Sequence, residues 1–139
     1  RGRLMMAKQS DLPLLCANPD VVVDRGEQRI YCAGAIAQAY TELGGRSFYF
    51  GKPHPPIYDL ARRRLASLGP FSDDRVLAIG DGPSTDIQGA LGEGYDTLFV
   101  TGGLAAAETG TTDQPDPARL DAYLARVRLS PTYAIGRLR

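Results

Sequence analysis

Two aspartates stand in Gly80-Asp81-Gly82-Pro83-Ser84-Thr85-Asp86, directly after the apolar run Val76-Leu77-Ala78-Ile79. A carboxylate that leaves a strand into a Gly/Pro-broken turn is held on a rigid element, and glycine lets the backbone approach a ligand closely. Hard oxygen donors of this kind suit Mg²⁺, which takes one or two carboxylates, keeps several waters and accepts substrate phosphate. Asp81 is the candidate direct ligand. Asp86 falls in the first turn of the next helix, where it can bond loop N–H groups, gain from the helix dipole or hold a metal-bound water. Capping alone also accounts for Asp86, with Ser84 and Thr85 competing for that role. Gly80, Gly82, Ser84 and Thr85 form the supporting loop for a phosphate.

A second group lies upstream. In Gly51-Lys52-Pro53 the glycine permits close approach and the proline directs the chain away from the preceding strand. The Lys52 ammonium is a point charge suited to a phosphate or an aspartate. Gly-Lys-Pro by itself is a common surface turn; its place between an aromatic strand and an amphipathic helix is what makes Lys52 a catalytic candidate. His54 is the only histidine, and its neighbours Pro53, Pro55 and Pro56 assign it to an exposed turn or a pocket rim. Asn18 and Asp20 either contact substrate or shape the turn Asn18-Pro19-Asp20, and spacing alone favours the turn.

The elements that position these residues alternate. Leu12 to Ala17 is a short apolar run, and Val21-Val22-Val23 and Arg29 to Cys32 read as short strands. A helix runs from Ala35 to Leu43 with Ile36, Ala37, Tyr40 and Leu43 on one face, stopped by Gly44-Gly45. Ser47 to Phe50 is a strand that enters Gly51-Lys52-Pro53. Pro55-Pro56 start a helix that Gly69-Pro70 ends; on it Asp59, Arg62 and Arg63 read as a solvated face. Arg75 to Ile79 has the composition of a buried strand, and a helix from about Thr85 to Glu93 follows, with Gly94 as its C-cap. Thr97 to Thr101 is the next strand, ended by Gly102-Gly103. Residues 105 to 115 read as a mobile loop or short helix. Asp116-Pro117 opens a last helix that buries Leu120, Leu124 and Val127, and Ser130 to Ile135 adds a short strand. This order predicts an α/β fold with a parallel sheet, in which ligands collect at the carboxyl ends of strands. Lys52, Asp81 and Gly102-Gly103 all sit just past such ends.

The bulk numbers fit one soluble globular domain: 139 residues, 43% hydrophobic, 23% charged. Sixteen basic residues balance sixteen acidic ones, which argues against a nucleic-acid binder. No apolar run is long enough to cross a bilayer, and Arg1 to Ala7 lacks the apolar core of a secretory signal. Cys16 and Cys32 lie far apart in apolar surroundings, which predicts two reduced, buried thiols in a cytoplasmic protein.

Taken together, these residues resemble the haloacid dehalogenase-like (HAD) superfamily. Gly51-Lys52-Pro53 is similar to its third motif and Gly80 to Asp86 to its fourth. Ala17-Asn18-Pro19-Asp20, Ala33-Gly34-Ala35 and Pro56-Ile57-Tyr58 add a likeness to subfamily IIA, the NagD-like phosphatases, over roughly residues 12 to 103. The resemblance implies a HAD-like Rossmannoid parallel sheet with helices, residues 47–139, preceded by the C-terminal part of a C2-type cap, residues 1–46. It implies a Mg²⁺-dependent phosphate monoester hydrolase that works through an aspartyl-phosphate on a small phosphorylated metabolite. Lys52 would neutralise charge on nucleophile and phosphoryl group, Asp81 would hold Mg²⁺, and Asn18 and Asp20 would belong to the cap.

One departure is large. The family's first motif is an apolar strand followed by Asp-x-Asp-Gly, which carries the nucleophile and the general acid/base. Val21-Val22-Val23-Asp24-Arg25-Gly26 imitates it without a second aspartate and falls after Asn-Pro-Asp. The second motif has no candidate either. The chain therefore reads as the C-terminal half of such an enzyme, inactive alone, whose exposed edges call for its N-terminal half or for self-association. The alternative from another class is a non-catalytic metal- or phosphate-binding or assembly module on the same scaffold.

Overall fold

A computed structural model describes residues 1–26 and 28–138, with the side chains of Asp24, Arg25 and Arg29 outside the description. The Asp24 side chain, weighed above as an imitation of the nucleophile, thus lies outside the described residues. The chain divides into two compact units, Arg1–Leu60 and Ala61–Arg139.

In the first unit, helix α1 (Gly2–Gln9) precedes strand β1 (Leu14–Cys16), strands β2 (Val22–Arg25) and β3 (Gln28–Tyr31), helix α2 (Ala33–Glu42) and strand β4 (Ser47–Tyr49). Strands β1 and β4 pair in parallel with Leu15 opposite Phe48, while β2 and β3 form an antiparallel hairpin. Helix α2 packs on β1 and β4. Its buried face is Gly34, Ala37 and Tyr40, and the Tyr40 hydroxyl donates to the Leu12 carbonyl at 2.5 Å. Ile36, expected on that face, is exposed, because the helix turns Gly34 toward the 19–20 turn instead. A Cβ on Gly34 would overlap the Pro19 carbonyl oxygen and come within 2.6 Å of the Asp20 oxygen. A Cβ on Gly51 would overlap Pro19 Cδ and come within 2.7 Å of the Ala17 oxygen. The Asn-Pro-Asp, Ala-Gly-Ala and Gly-Lys-Pro signatures are thus one packed contact centred on Pro19. Cys16 is buried and free, and its thiol donates to the Asn18 carbonyl at 3.2 Å. Cys32, expected to be buried, is only half-buried, since it precedes α2 at the end of the two-stranded hairpin.

Helix α3 (Pro55–Ala66) follows, then strand β5 (Leu77–Gly80), helix α4 (Gln88–Gly92), strand β6 (Asp96–Val100), short helix α5 (Ala106–Thr109), helix α6 (Pro117–Val127) and strand β7 (Tyr133–Ile135). The second unit's sheet is parallel, in the order β5-β6-β7. Its core joins Ile87, Phe99 and Ala105 to the inner face of α6, with Leu120, Tyr123 and Leu124 packed against them. Asp116 caps α6 by accepting the Arg119 N–H at 2.9 Å. Thr97 and Thr132 exchange hydrogen bonds at 3.1 and 3.0 Å, which ties the start of β7 to β6. The stretch read as a mobile loop or short helix is a short helix and turn pinned by hydroxyls. Thr109 donates to the Ala105 carbonyl, and Thr111 bonds both Thr109 and Thr101.

The expected buried strand is where the structure differs most. Strand β5 is shorter than predicted and pairs only with β6 among the described residues, so Leu77 and Ile79 remain 43% and 51% exposed. A fully paired strand and an edge strand of the same composition look alike in sequence.

The Pro19 contact predicts a cost for filling its glycines. Gly34→Ala has backbone on two sides and no flexible side chain to displace. It is expected to destabilise the protein by about 1–3 kcal/mol, the range for overpacking a close contact, in urea unfolding. The neighbouring Ala35→Gly serves as control, at up to about 1 kcal/mol.

Candidate active site

The carboxyl end of β5 delivers the two aspartates into a loop that is more tightly specified than a helix cap. A π-helical turn spans Pro83–Ile87 before α4 begins, a rare local geometry that recurs at functional sites. Its Asp86 carboxylate folds back so that Oδ2 accepts the Gly82 N–H at 3.0 Å. A Cβ on Gly80 would overlap that carboxylate, and one on Gly82 would overlap the Thr85 hydroxyl. Asp81 points the other way. Its Oδ2 accepts the Leu104 N–H at 3.2 Å, and a Cβ on Gly103 would overlap the same oxygen. Parallel pairing of β5 with β6 sets this up, since it puts Gly80 opposite Phe99 and carries the Gly102-Gly103 turn alongside Asp81.

Asp81 opens onto a cavity at the carboxyl end of the sheet, lined by Gly80, Gly102, Gly103, Gly136 and Arg137 with apolar side chains around them. The donor set fits a hard divalent cation. Each of two carboxylates accepts a backbone N–H, and each lies where the Cβ of a larger residue than glycine would be. Among the described residues no cluster of three or more His, Cys, Asp or Glu side chains gathers in one place.

Of the predicted residues, Gly80, Asp81, Gly82, Ser84, Thr85 and Asp86 are together in this loop of the second unit, with Ser84 exposed and Thr85 half-buried. Lys52, Gly51, Asn18 and Asp20 are together in the first unit. Asn18 Oδ1 accepts the Asp20 N–H at 3.0 Å, an Asx turn that leads the chain over Pro19 toward Gly34. Lys52 is exposed just after β4. His54 is half-buried and stacks on Tyr49, ring centroids 4.9 Å apart, while its N–H donates to the Gly51 carbonyl at 3.0 Å. The Gly51-to-His54 turn is thereby closed at both the backbone and the ring.

The sequence reading missed two things. Gly103, a candidate by its place past a strand end, and the Leu104 N–H are the direct partners of Asp81, a pairing the sequence did not show. Arg62, read as part of a solvated face, is instead drawn in. It is 27% exposed, bonds Glu93 at 2.6 Å, reaches Asp73 at 3.5 Å and lies 4.9 Å from the centre of the Tyr95 ring. The Glu93 bond raises its pKa above the ordinary guanidinium value, and burial pushes the Tyr95 phenol up. This cluster ties α3 to the end of α4, the helix that the acidic loop opens.

Residues 49–128 match the HAD-hydrolase-like family model, and the chain belongs to that family. It is similar in structure to a haloacid dehalogenase-like hydrolase from Brucella suis 1330, at 39% identity and a TM-score of 0.77, over 100% of this chain and 49% of that one. It also resembles the possible sugar phosphatase of the HAD superfamily from Cytophaga hutchinsonii, at 22% identity and TM-score 0.74, over 96% and 44% of the two chains. A third likeness is to the p-nitrophenyl phosphatase from Archaeoglobus fulgidus, at 22% identity and TM-score 0.71, over 94% and 46%. The chain spans about half the length of each of these proteins. No curated protein is significantly similar to it. The expected α/β class with parallel pairing and the HAD-like resemblance both hold, and no described helix is long and apolar enough to cross a membrane.

The loop geometry predicts a specific sensitivity. Gly80→Ala must push the Asp86 carboxylate off the Gly82 N–H. It is expected to cost about 1–3 kcal/mol in urea unfolding. Gly92→Ala, where a Cβ meets nothing within 4 Å, is expected to be neutral or stabilising.

Proposed function

We propose that the chain is the C-terminal part of a Mg²⁺-dependent phosphate monoester hydrolase of HAD subfamily IIA, acting in the cytoplasm on a small phosphorylated metabolite. The observation that carries this reading is the anchored pair Asp81 and Asp86 at the carboxyl end of a parallel strand, each oxygen oriented by a backbone N–H and each backed by a glycine. Family membership and the phosphatases among its structural relatives support the reaction class.

In this proposal Asp81 holds the metal directly, and Asp86 braces the loop and reaches the metal through water. Bound Mg²⁺ supplies Lewis-acid neutralisation of the phosphoryl oxygens. The Lys52 ammonium offsets charge on the carboxylate nucleophile and on the transferring phosphoryl group. Gly51 in the first unit, and Gly80, Gly82, Ser84 and Thr85 in the second, serve as loop support for the phosphate. Nucleophile and general acid/base belong to the family's first motif, supplied by residues outside these 139. Asn18 and Asp20 belong to the cap, residues 1–46 by the sequence boundary, with the core portion from residue 47. The Asx turn at Asn18 supports a shaping role there.

In the full-length protein, hydrolysis of an aryl phosphate is expected to require Mg²⁺ and to fall about 100-fold or more with Asp81→Asn, the scale for removing a group that stabilises transition-state charge. Turnover that survives Asp81→Asn or chelation would overturn the mechanism. The 139-residue chain by itself is expected to be inactive and, in size-exclusion chromatography with light scattering, to associate or run expanded. A compact 15.0 kDa monomer would remove the reading of an incomplete core.

A further inference from the structure

Two residues with charged side chains line the cavity at the carboxyl end of the second unit's sheet: Asp81 and Arg137. The backbone delivers Arg137 there rigidly. It follows β7 by two positions, and Gly136 between them is buried, with its N–H on Gln114 Oε1 at 2.9 Å and its carbonyl taking the Gly102 N–H at 2.8 Å. A Cβ on Gly136 would overlap the Asp113 carbonyl, so this turn accepts no larger residue without shifting. The Arg137 stem then lies against Gly102, its Cγ 3.2 Å from where a Gly102 Cβ would be.

A carboxylate and a guanidinium in one cavity ordinarily pair. Here they do not. Asp81 turns Oδ2 to the Leu104 N–H, and none of the ion pairs among the described residues includes Arg137. An anionic and a cationic wall held apart in one cavity suit a cation and an anion bound as neighbours. The cation goes to the carboxylate and the anion to the guanidinium, whose planar fork matches two oxygens of a phosphate.

We propose that Arg137 is an anion-binding residue of the Asp81 cavity, taking the phosphate group of a phosphate monoester or the inorganic phosphate product. The inference rests on the proposed phosphatase reading for the identity of the anion, and on the cavity alone for the site. Arg137 is exposed, so solvent screens it and its contribution is that of one charge-assisted contact.

The test is titration of the full-length protein with inorganic phosphate, with and without Mg²⁺, followed by calorimetry. Arg137→Gln is expected to weaken phosphate binding about tenfold, and Arg137→Lys to weaken it by less than Arg137→Gln, since the charge remains while the planar fork is lost. Arg126→Gln, at a guanidinium 5.2 Å from the centre of the Tyr123 ring and absent from this cavity, is expected to change nothing. With an aryl phosphate, Arg137→Gln is expected to raise KM about tenfold and leave kcat within about twofold, the pattern of lost uniform binding. Phosphate binding that is absent in the wild type, or equal in Arg137→Gln and wild type, overturns the proposal. If Arg137→Gln loses phosphate while Asp81→Asn changes neither Mg²⁺ dependence nor turnover, the anion site stands and the Mg²⁺ phosphatase reading fails.

Discussion

Everything in the second unit that resembles chemistry depends on two carboxylates being pressed against glycines. Asp86 folds over Gly80 and Asp81 lies on Gly103, each oriented by one backbone N–H. A backbone bond to an ionised acceptor contributes about 1.5–3 kcal/mol. The arrangement needs Gly80 and Gly103 on adjacent strand ends, hence β5 and β6 parallel and in the register that sets Gly80 opposite Phe99. That register rests in turn on Phe99 and Ile87 filling the core beneath α6, and on the Thr97–Thr132 exchange that fixes β7 on the other side of β6. Site and core are therefore one construction: the same strand places Phe99 inward and leads the glycine pair outward.

The first unit follows the same logic with a proline in place of the carboxylates. Gly34 and Gly51 both close on Pro19, so a helix start and a loop after a strand meet at the Asn18–Asp20 turn. The Asx bond from Asn18 and the Tyr49–His54 stack close the turns on either side. Three short signatures far apart in sequence are thereby explained without invoking a ligand: each supplies the small or rigid residue that a close backbone approach demands.

Elements with strong local causes were legible in the sequence. Asp116-Pro117 announces α6 and forms the cap it promises. The aspartate after an apolar run, and the glycine pair after the next strand, located the acidic loop and the turn beside it. What local pattern could not carry was partnership. Arg62 has the periodicity of a solvated face, yet Glu93 and Tyr95 come to it from residues more than thirty positions away. Ile36 and Ala37 look equally suited to a helix core, and only the approach of Gly34 to Pro19 decides which turns inward. Arg137 had no signal, because a lone arginine near a strand end acquires meaning only from the cavity wall opposite it.

The exposed strand β5 bears on how the unit is completed. Covering Leu77 and Ile79, each about half exposed, gains on the order of 1 kcal/mol apiece from apolar burial. Pairing the backbone of a four-residue strand adds a few net hydrogen bonds at about 1 kcal/mol each. A free second molecule must first offset an association cost of about 4–15 kcal/mol, which this gain barely meets. A strand tethered in the same polypeptide faces only loop closure, which grows slowly with length. At such an edge a tethered strand thus meets a smaller cost than a free second molecule does. The Leu15–Phe48 pair exposed on the β1–β4 sheet adds a second apolar surface of the same modest size to the first unit. On the proposed reading, the strand that covers β5 is also the one that brings the nucleophile. The edge that lowers the stability of these residues alone is then the edge at which the reaction is assembled.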